Sequence, residues 1–130
     1  MPALFEYDVA PMEIITRSAR MSALSAKLVS SDVQIGFVTT MGVIHPGHLS
    51  LIEAARKMSD LVVVSVFVSR IQFPGDEEYL QYPRDFTRDI EVLSHQNVDY
   101  VFSPAEDEMF PPGFSTYVQV EKLGQKPKKV

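Results

Sequence analysis

An eight-residue apolar run, Leu61 to Val68, is the feature that most constrains how this chain can fold. It has the sequence Leu-Val-Val-Val-Ser-Val-Phe-Val, with one polar residue and no alternation of polar and apolar side chains. Valine favours extended backbone, and a strand without alternation is typical of a sheet that is covered on both faces. Parallel sheets of α/β proteins have that arrangement. The run therefore predicts a central strand of a parallel sheet.

Helix-like and strand-like segments alternate on both sides of this run. Apolar, β-rich segments predict further strands at residues 34–40, 98–102 and, with weaker alternation at an edge, 116–120. Apolar residues at helical spacing predict helices at residues 17–29, 47–58 and 85–97. The order strand, helix, strand, helix, strand predicts an α/β fold, in which helices flank a parallel sheet.

The helical spacing also predicts which side chains face the sheet. The expected apolar faces are Met21, Leu24 and Leu28 in the first helix, Leu51, Ala54, Ala55 and Met58 in the second, and Phe86, Ile90 and Leu93 in the third. Proline and acidic residues predict connecting loops at residues 69–84 and 104–113. We expect the acidic clusters in these loops, residues 76–78 and 106–108, to face solvent.

Composition excludes several classes of function. The 130 residues carry 12 basic and 17 acidic side chains, so the net charge of −5 disfavours a nucleic-acid-binding protein. There is no cysteine, which excludes disulfides and thiol catalysis. No apolar run approaches the roughly 20 residues that span a bilayer, and the first residues lack the pattern of a signal peptide. We therefore expect a cytoplasmic protein without a membrane or nucleic-acid partner.

The regular pattern occupies most of the chain. It begins at Met12, so residues 1–11 are interpreted as an N-terminal extension. Residues 12–121 are interpreted as one folded unit, and the lysine-rich residues 122–130 as a disordered tail.

Ligands of open α/β sheets bind at the carboxyl ends of the strands, and residues 39–48 join such a strand end to a helix. Gly42 and Gly47 permit tight turns, and His45 and His48 flank the helix start. Backbone N–H groups and the helix dipole make that start an anion site. Two imidazoles there can donate hydrogen bonds to phosphate oxygens. The segment is neither of the common glycine-rich phosphate loops.

Other interpretations of these residues remain open. The two histidines could be a helix cap and a surface residue, and their spacing could fit a metal pair, although no third ligand accompanies them and we assign no metal ligand. Gln72 follows the valine-rich strand and could bind a small hydroxy acid or be a satisfied loop amide. Tyr82 and Arg84 could face the same site or simply form the approach to a helix.

Taken together, these motifs resemble those of the pantothenate synthetases, the pantoate–β-alanine ligases. The resemblance rests on six segments in order, namely residues 36–42, 45–51, 63–68, 72–73, 82–84 and 98–111. They read Gly-Phe-Val-Thr-Thr-Met-Gly, His-Pro-Gly-His-Leu-Ser-Leu, Val-Val-Ser-Val-Phe-Val, Gln-Phe and Tyr-Pro-Arg, followed by a segment from Val-Asp-Tyr-Val-Phe-Ser-Pro to Met-Phe-Pro. The His-x-Gly-His element alone is common to a nucleotidyltransferase superfamily, whereas the combination is much more specific.

The resemblance implies a Rossmann-like domain of an ATP- and Mg²⁺-dependent ligase. Pantoate would react with ATP to give pantoyl adenylate and pyrophosphate, and β-alanine would then release AMP and pantothenate. Such enzymes are typically cytoplasmic homodimers. The residues implied to bind ATP are Thr40, Met41, Gly42, His45, Gly47 and His48, with His45 and His48 catalytic. The residues implied to bind pantoate are Met41, Gln72 and Tyr82.

Three positions depart from the family pattern. Proline is usual where Thr39 stands, and asparagine and proline are usual where Ser69 and Arg70 stand. The asparagine is expected to contact the acyl intermediate, which makes Ser69 a shorter substitute, and Arg70 adds bulk and charge.

Family members are also much longer, so the chain resembles the front half of such an enzyme. The resemblance implies that residues 12–121 are the N-terminal part of its Rossmann-like catalytic domain. Two alternatives are a non-catalytic fragment that associates through an exposed sheet edge, and a related nucleotidyltransferase that acts on another acid.

Overall fold

The computed structural model describes residues 11–113. Its strands are β1 (Glu13–Ile15), β2 (Ile35–Thr40), β3 (Leu61–Val66) and β4 (Tyr100–Phe102). Its α-helices are α1 (Ser18–Ser30), α2 (Pro46–Met58), α3 (Asp76–Gln81), α4 (Phe86–Ser94) and α5 (Glu106–Met109), and a 3₁₀ turn covers Arg70–Gln72. The extension predicted at residues 1–11, apart from Pro11, and the strand and tail predicted at residues 116–120 and 122–130 lie outside the described residues.

The four strands form one parallel sheet in the order β1-β4-β3-β2, which confirms the predicted α/β class. β3 lies inside the sheet, and Val62 to Val66 are all buried, as a strand covered on both faces requires. The strand ends two residues before the predicted Val68, where the chain turns towards the 3₁₀ turn. The carboxyl ends of β2 and β3 meet at the paired residues Thr40 and Val66.

β1 is a strand that the sequence pattern did not predict. It has three residues, pairs with β4 and contributes Ile15, which is completely buried with Val63 and Phe102. Met21 and Leu24 of α1 pack against this small cluster, so the predicted face of α1 is confirmed at these positions. A three-residue strand is too short to show a period of two, which is why the pattern missed it.

The predicted apolar face of α2 is confirmed at Ala55 but wrong at Leu51, Ala54 and Met58, which are exposed. Ile52 is the buried side chain of this helix, whereas Leu51 and Met58 are 57% and 79% exposed. Leu49 and Ala55 pack beside Ile52 against the main core, which includes Val62 and Val64. Apolar residues occur on most sides of α2, so the sequence is compatible with two different apolar faces. The position of the helix on the sheet determines that the face containing Ile52 is buried.

The face predicted for α4 is correct at Leu93 and Ile90 but wrong at Phe86, which is 42% exposed. Asp85 caps this helix as expected, because its Oδ1 accepts the N–H of Arg88. Asn97 has a positive φ of 57°, as the predicted left-handed stop requires, and Pro46 occupies the first turn of α2.

Two segments predicted as loops contain the short helices α3 and α5. The acidic residues of α5 were expected to face solvent, but two of them form hydrogen bonds within the protein. Glu108 Oε1 accepts the N–H of Ser18 at 2.7 Å, at the start of α1. Glu106 accepts hydrogen bonds from Arg70 at 3.0 Å and from the hydroxyl of Tyr79 at 3.3 Å. Within residues 11–113, no helix combines the length and the apolar character needed to cross a membrane.

Candidate functional site

The candidate site begins where β2 ends, at a turn that Thr40 stabilises. The buried Thr40 hydroxyl donates to the carbonyl of Ser65 at 2.9 Å and accepts the N–H of Gly42 at 3.1 Å. Its one donor is therefore used within the protein. Thr40 shapes the loop that follows, and its hydroxyl is not free to donate to a phosphate.

The residues after Thr40 adopt an unusual backbone conformation. Gly42 and Val43 have positive φ angles of 83° and 53°. Glycine adopts such angles without strain, whereas a β-branched residue does so only when its surroundings hold it there. A Cβ on Gly42 would also lie 2.9 Å from Oδ2 of Asp89, so a side chain at this position would be both strained and crowded.

The start of α2 is capped by two histidines. The N–H of Gly47 donates to Nδ1 of His45 at 3.1 Å, and the N–H of His45 donates to Nδ1 of His48 at 3.2 Å. A neutral imidazole that accepts at Nδ1 carries its proton on Nε2. Both rings are therefore held in the tautomer that has an Nε2–H donor, and no other described residue is hydrogen-bonded to Nε2 of either ring.

The protonation of His48 is biased towards the neutral form. Burial lowers the pKa of His48 below its ordinary value of 6.5, the neighbouring His45 lowers it further, and the negative charge of Asp89 opposes the decrease. The two rings lie 3.9 Å apart between centroids, which explains why the charge of His45 acts on His48. At neutral pH, His48 is therefore a neutral hydrogen-bond donor.

The loop and the two histidines open into a cavity of about 830 Å³ at the carboxyl end of the sheet. Seven candidate residues identified from the sequence line this cavity: Thr40, Met41, Gly42, His45, His48, Gln72 and Tyr82. Gly47 is not part of the lining but lies under the His45 ring, since a Cβ there would be 2.8 Å from His45 Cε1. The structure thus brings together segments from three different loops.

The lining of the cavity also contains residues that follow β3. Gln72 is exposed in the 3₁₀ turn, and the half-buried Tyr82 packs edge-on against Phe73, with ring centroids 5.6 Å apart. Ser69 also lines the cavity. Arg70 does not, because its guanidinium pairs with Asp76 at 2.6 Å and Glu106 at 3.0 Å, which raises its pKa. Its bulk and charge are therefore directed away from the cavity.

One buried polar residue next to this loop was not predicted from the sequence. Asp89 of α4 is 2% exposed and accepts the N–H groups of Val43 and Ile44. A carboxylate at a core-facing helical position, three residues after Phe86 and four before Leu93, was the available indication. Aromatic wall residues were missed as well, namely Phe37, Phe67 and Phe102.

Comparison with known proteins identifies the family. The family model for pantoate-beta-alanine ligase matches residues 13–129. A pantothenate synthetase from Sulfurihydrogenibium is 48% identical over 114 residues, covering 88% of this chain and 41% of the relative. One from Thermotoga petrophila is also 48% identical, with the same coverage. The chain thus spans about two fifths of the length of these relatives.

Solved structures give the same result. A pantoate-beta-alanine ligase from Francisella tularensis, complexed with beta-gamma ATP and beta-alanine, superimposes with a TM-score of 0.77 at 35% identity, covering 84% of this chain and 41% of that one. Pantothenate synthetase from Thermus thermophilus superimposes with a TM-score of 0.70 at 42% identity, covering 84% and 38%. The chain therefore belongs to the pantoate-beta-alanine ligase family.

Proposed function

We propose that this chain forms the part of a pantothenate-forming ligase that holds ATP and pantoate. In this reaction a carboxylate oxygen of pantoate forms a bond to the α-phosphorus of ATP while the bond to the β-phosphate oxygen breaks. Pyrophosphate leaves, and pantoyl adenylate remains. The amine of β-alanine then forms an amide bond to the acyl carbon, loses a proton and releases AMP.

The capped histidine pair is the observation that carries this proposal. The hydrogen bonds at Nδ1 of His45 and His48 leave both Nε2–H groups as donors beside a helix N-terminus. Negative charge is favoured at such a terminus, and donors fixed before substrate arrives stabilise charge without reorganisation. We assign to both histidines the binding of the ATP phosphates during adenylate formation. Thr40, Gly42 and Gly47 support this site by shaping its loop.

Other residues that line the cavity are suited to pantoate. Pantoate combines a carboxylate and hydroxyls with two methyl groups. The Gln72 amide can both donate and accept, the Tyr82 hydroxyl adds a second polar group, and Met41 offers an apolar contact. Ser69 is near enough to line the same space and is our candidate for contact with the acyl group. The arrangement would bring carboxylate and α-phosphate together, which lowers the entropic barrier.

Magnesium, which the family resemblance implies, does not find a protein site in the described part of the chain. No three His, Asp or Glu side chains among residues 11–113 converge to hold a metal ion. Both carboxylate oxygens of Asp89, the buried acid beside the loop, accept hydrogen bonds from backbone N–H groups. Mg²⁺ commonly uses substrate phosphates as ligands.

The test is calorimetric titration of the 130-residue chain with a non-hydrolysable ATP analogue and, separately, with pantoate. His45→Asn is the informative variant, because asparagine is also a good N-cap residue but lacks the Nε2 donor. We expect analogue affinity to fall about tenfold, as loss of a hydrogen bond to a charged group implies. His95→Asn, at the exposed end of α4, is the matched control and should bind normally.

The same titration separates the acid substrate from the nucleotide. Gln72→Ala should weaken pantoate binding while leaving the affinity for the ATP analogue unchanged. Failure of the wild type to bind either ligand at millimolar concentration would exclude the proposed function for this chain. Nucleotide binding without pantoate binding would instead favour a related nucleotidyltransferase that acts on another acid.

Self-association is a second candidate, favoured by the free edge of β2. Within residues 11–113 this strand has a neighbour only on the side of β3, and Phe37 on it is 57% exposed. An unpaired strand edge invites pairing with another chain. We propose a homodimer in the cytoplasm, where ATP is supplied. Analytical ultracentrifugation of the wild type over a range of concentrations tests the association, and sedimentation as a monomer at every concentration would contradict it.

A further inference from the structure

Asp89 is a buried carboxylate whose partners lie in the candidate site. Its side chain is 2% exposed, and a charge this deeply buried is costly unless it is hydrogen-bonded. Its Oδ2 accepts the N–H of Val43 at 3.0 Å, and its Oδ1 accepts the N–H of Ile44 at 2.9 Å. The nearest guanidinium, that of Arg88, is half-exposed and 3.6 Å away. The carboxylate is therefore held mainly by the loop backbone.

These two hydrogen bonds reach the loop at a point where its backbone is strained. Val43 has a φ of 53°, which a β-branched residue adopts only at an energetic cost. Such strain persists where surrounding contacts over-determine the conformation. Arg88 adds a contact, because its Nη1 donates to the carbonyl of Ile44 at 3.2 Å. Residues of α4 thus form hydrogen bonds with both the N–H and the carbonyl of Ile44, a residue that is itself buried.

The next residue in the chain is His45, the N-cap of α2. The direction in which the backbone leaves Ile44 determines where the His45 ring lies and, through its N–H, how the His48 ring is held. We propose that Asp89 is a positioning residue: it fixes the Val43–Ile44 turn and thereby presents the Nε2–H groups of His45 and His48 to the nucleotide phosphates. This inference rests on the proposed function.

A role as a ligand-binding acid fits less well. Both oxygens of Asp89 are already engaged by N–H groups, and direct contact between a carboxylate and a phosphate would be repulsive. A role only in general stability is the other alternative. It predicts that substitution lowers the melting temperature without changing nucleotide affinity at temperatures where the variant is folded.

The experiment combines amide hydrogen exchange with nucleotide titration, using the 130-residue chain and a non-hydrolysable ATP analogue. In the wild type, the Val43 and Ile44 amides should exchange at least about tenfold more slowly than unprotected amides, because both are bonded to a buried carboxylate. Asp89→Asn keeps the size but replaces one acceptor by an NH₂ group. At least one of the two amides should then exchange about tenfold faster, while the amides of Val62–Val66 keep their rates. Glu91→Gln, on the exposed side of the same helix, is the matched control.

Nucleotide affinity then links the turn to the histidines. Asp89→Asn should weaken binding of the ATP analogue about tenfold under conditions where circular dichroism shows a folded chain. Adding Val43→Gly should recover at least about threefold, because glycine adopts the positive φ without the support of Asp89. A structural role alone would give neither the affinity loss nor the recovery.

The possible outcomes are distinguishable. Unprotected Val43 and Ile44 amides in the wild type would overturn the proposal without any variant, so it stays testable even if Asp89→Asn does not fold. Unchanged nucleotide affinity in a folded Asp89→Asn would overturn it as well. If the wild type binds no nucleotide, the proposed function fails, and the proposed presentation of the histidines to nucleotide fails with it. Faster Val43 or Ile44 exchange in Asp89→Asn would then support only the local turn contact.

Discussion

The backbone N–H of His45 donates to Nδ1 of His48 at 3.2 Å, so the second histidine of the site supports the first. The rings lie 3.9 Å apart between centroids, and the His45 ring accepts the N–H of Gly47 in turn. Capping and the proposed phosphate binding therefore use opposite nitrogens of the same rings. Any change that alters the cap should also alter the direction of the Nε2–H donors.

The first prediction concerns pH. The pKa of His48 is lower in the folded chain than its ordinary 6.5, so the unfolded chain binds more protons between these two values. The free energy of unfolding contributed by His48 is therefore complete above pH 6.5 and decreases as the pH falls through the lowered pKa. His48→Gln should show a shallower decrease, since glutamine can keep the cap acceptor but does not titrate. Urea unfolding at several pH values between 5 and 8 measures the slopes; equal slopes in the two proteins would contradict this account.

The second prediction concerns Gly47. Alanine there places a Cβ 2.8 Å from Cε1 and 3.1 Å from Nδ1 of His45, so the ring has to move. Alanine also favours the helix by about 1 kcal/mol relative to glycine, which offsets the local strain. We expect Gly47→Ala to change the free energy of unfolding by less than about 1 kcal/mol while weakening binding of the ATP analogue about tenfold. Ser50→Ala, on the next turn of α2, serves as the control. An alanine variant with normal affinity would show that the ring position is unimportant.

The third prediction concerns Thr40. Valine has the same shape but neither donates to the Ser65 carbonyl nor accepts the Gly42 N–H. Thr40→Val should lower the free energy of unfolding by about 2 kcal/mol, because buried polar groups lose their partners. Thr39→Val is the matched comparison, since Thr39 is exposed on the same strand. Chemical denaturation of both variants measures the difference, and equal stabilities would refute the structural role of the Thr40 hydroxyl.

The fourth prediction concerns Ser69, which lines the cavity where the family pattern usually has asparagine. Ser69→Asn adds an amide that can both donate and accept, and it extends further into the cavity. We expect pantoate affinity to rise about fivefold, as one added hydrogen bond implies. Titration of pantoate in the presence of the ATP analogue is the measurement. Unchanged affinity for pantoate in Ser69→Asn would mean that this position does not contact the acid.

The parts of the fold that could be predicted are those with long, unambiguous patterns. The valine run of β3 lacks alternation because neighbouring strands and both layers of side chains enclose it. The glycines and histidines between β2 and α2 were recognisable because strand ends and helix starts meet there. Gln72 and Tyr82 line the same cavity as this loop, as the position of strand ends in a parallel sheet predicts.

The parts that could not be predicted depend on tertiary contacts. The buried face of α2 was wrong because Leu51 and Ile52 compete as core residues, and only the sheet position decides between them. Glu108 was expected in solvent, but it accepts the N–H of Ser18, a residue 90 positions away. Asp89 likewise finds its partners 45 and 46 positions earlier in the chain. No local pattern encodes such pairs.

The central claim is that the capped histidines present two Nε2–H donors to a nucleotide phosphate. Long-range ¹H–¹⁵N correlation spectra of the 130-residue chain at pH 7.5 report the tautomer of each ring directly. We predict protonated Nε2 and unprotonated Nδ1 in both His45 and His48, with both Nε2 resonances shifting when the ATP analogue is added and that of His95 unchanged. Protonated Nδ1 in either ring, or Nε2 resonances that do not respond to the nucleotide, would contradict the account.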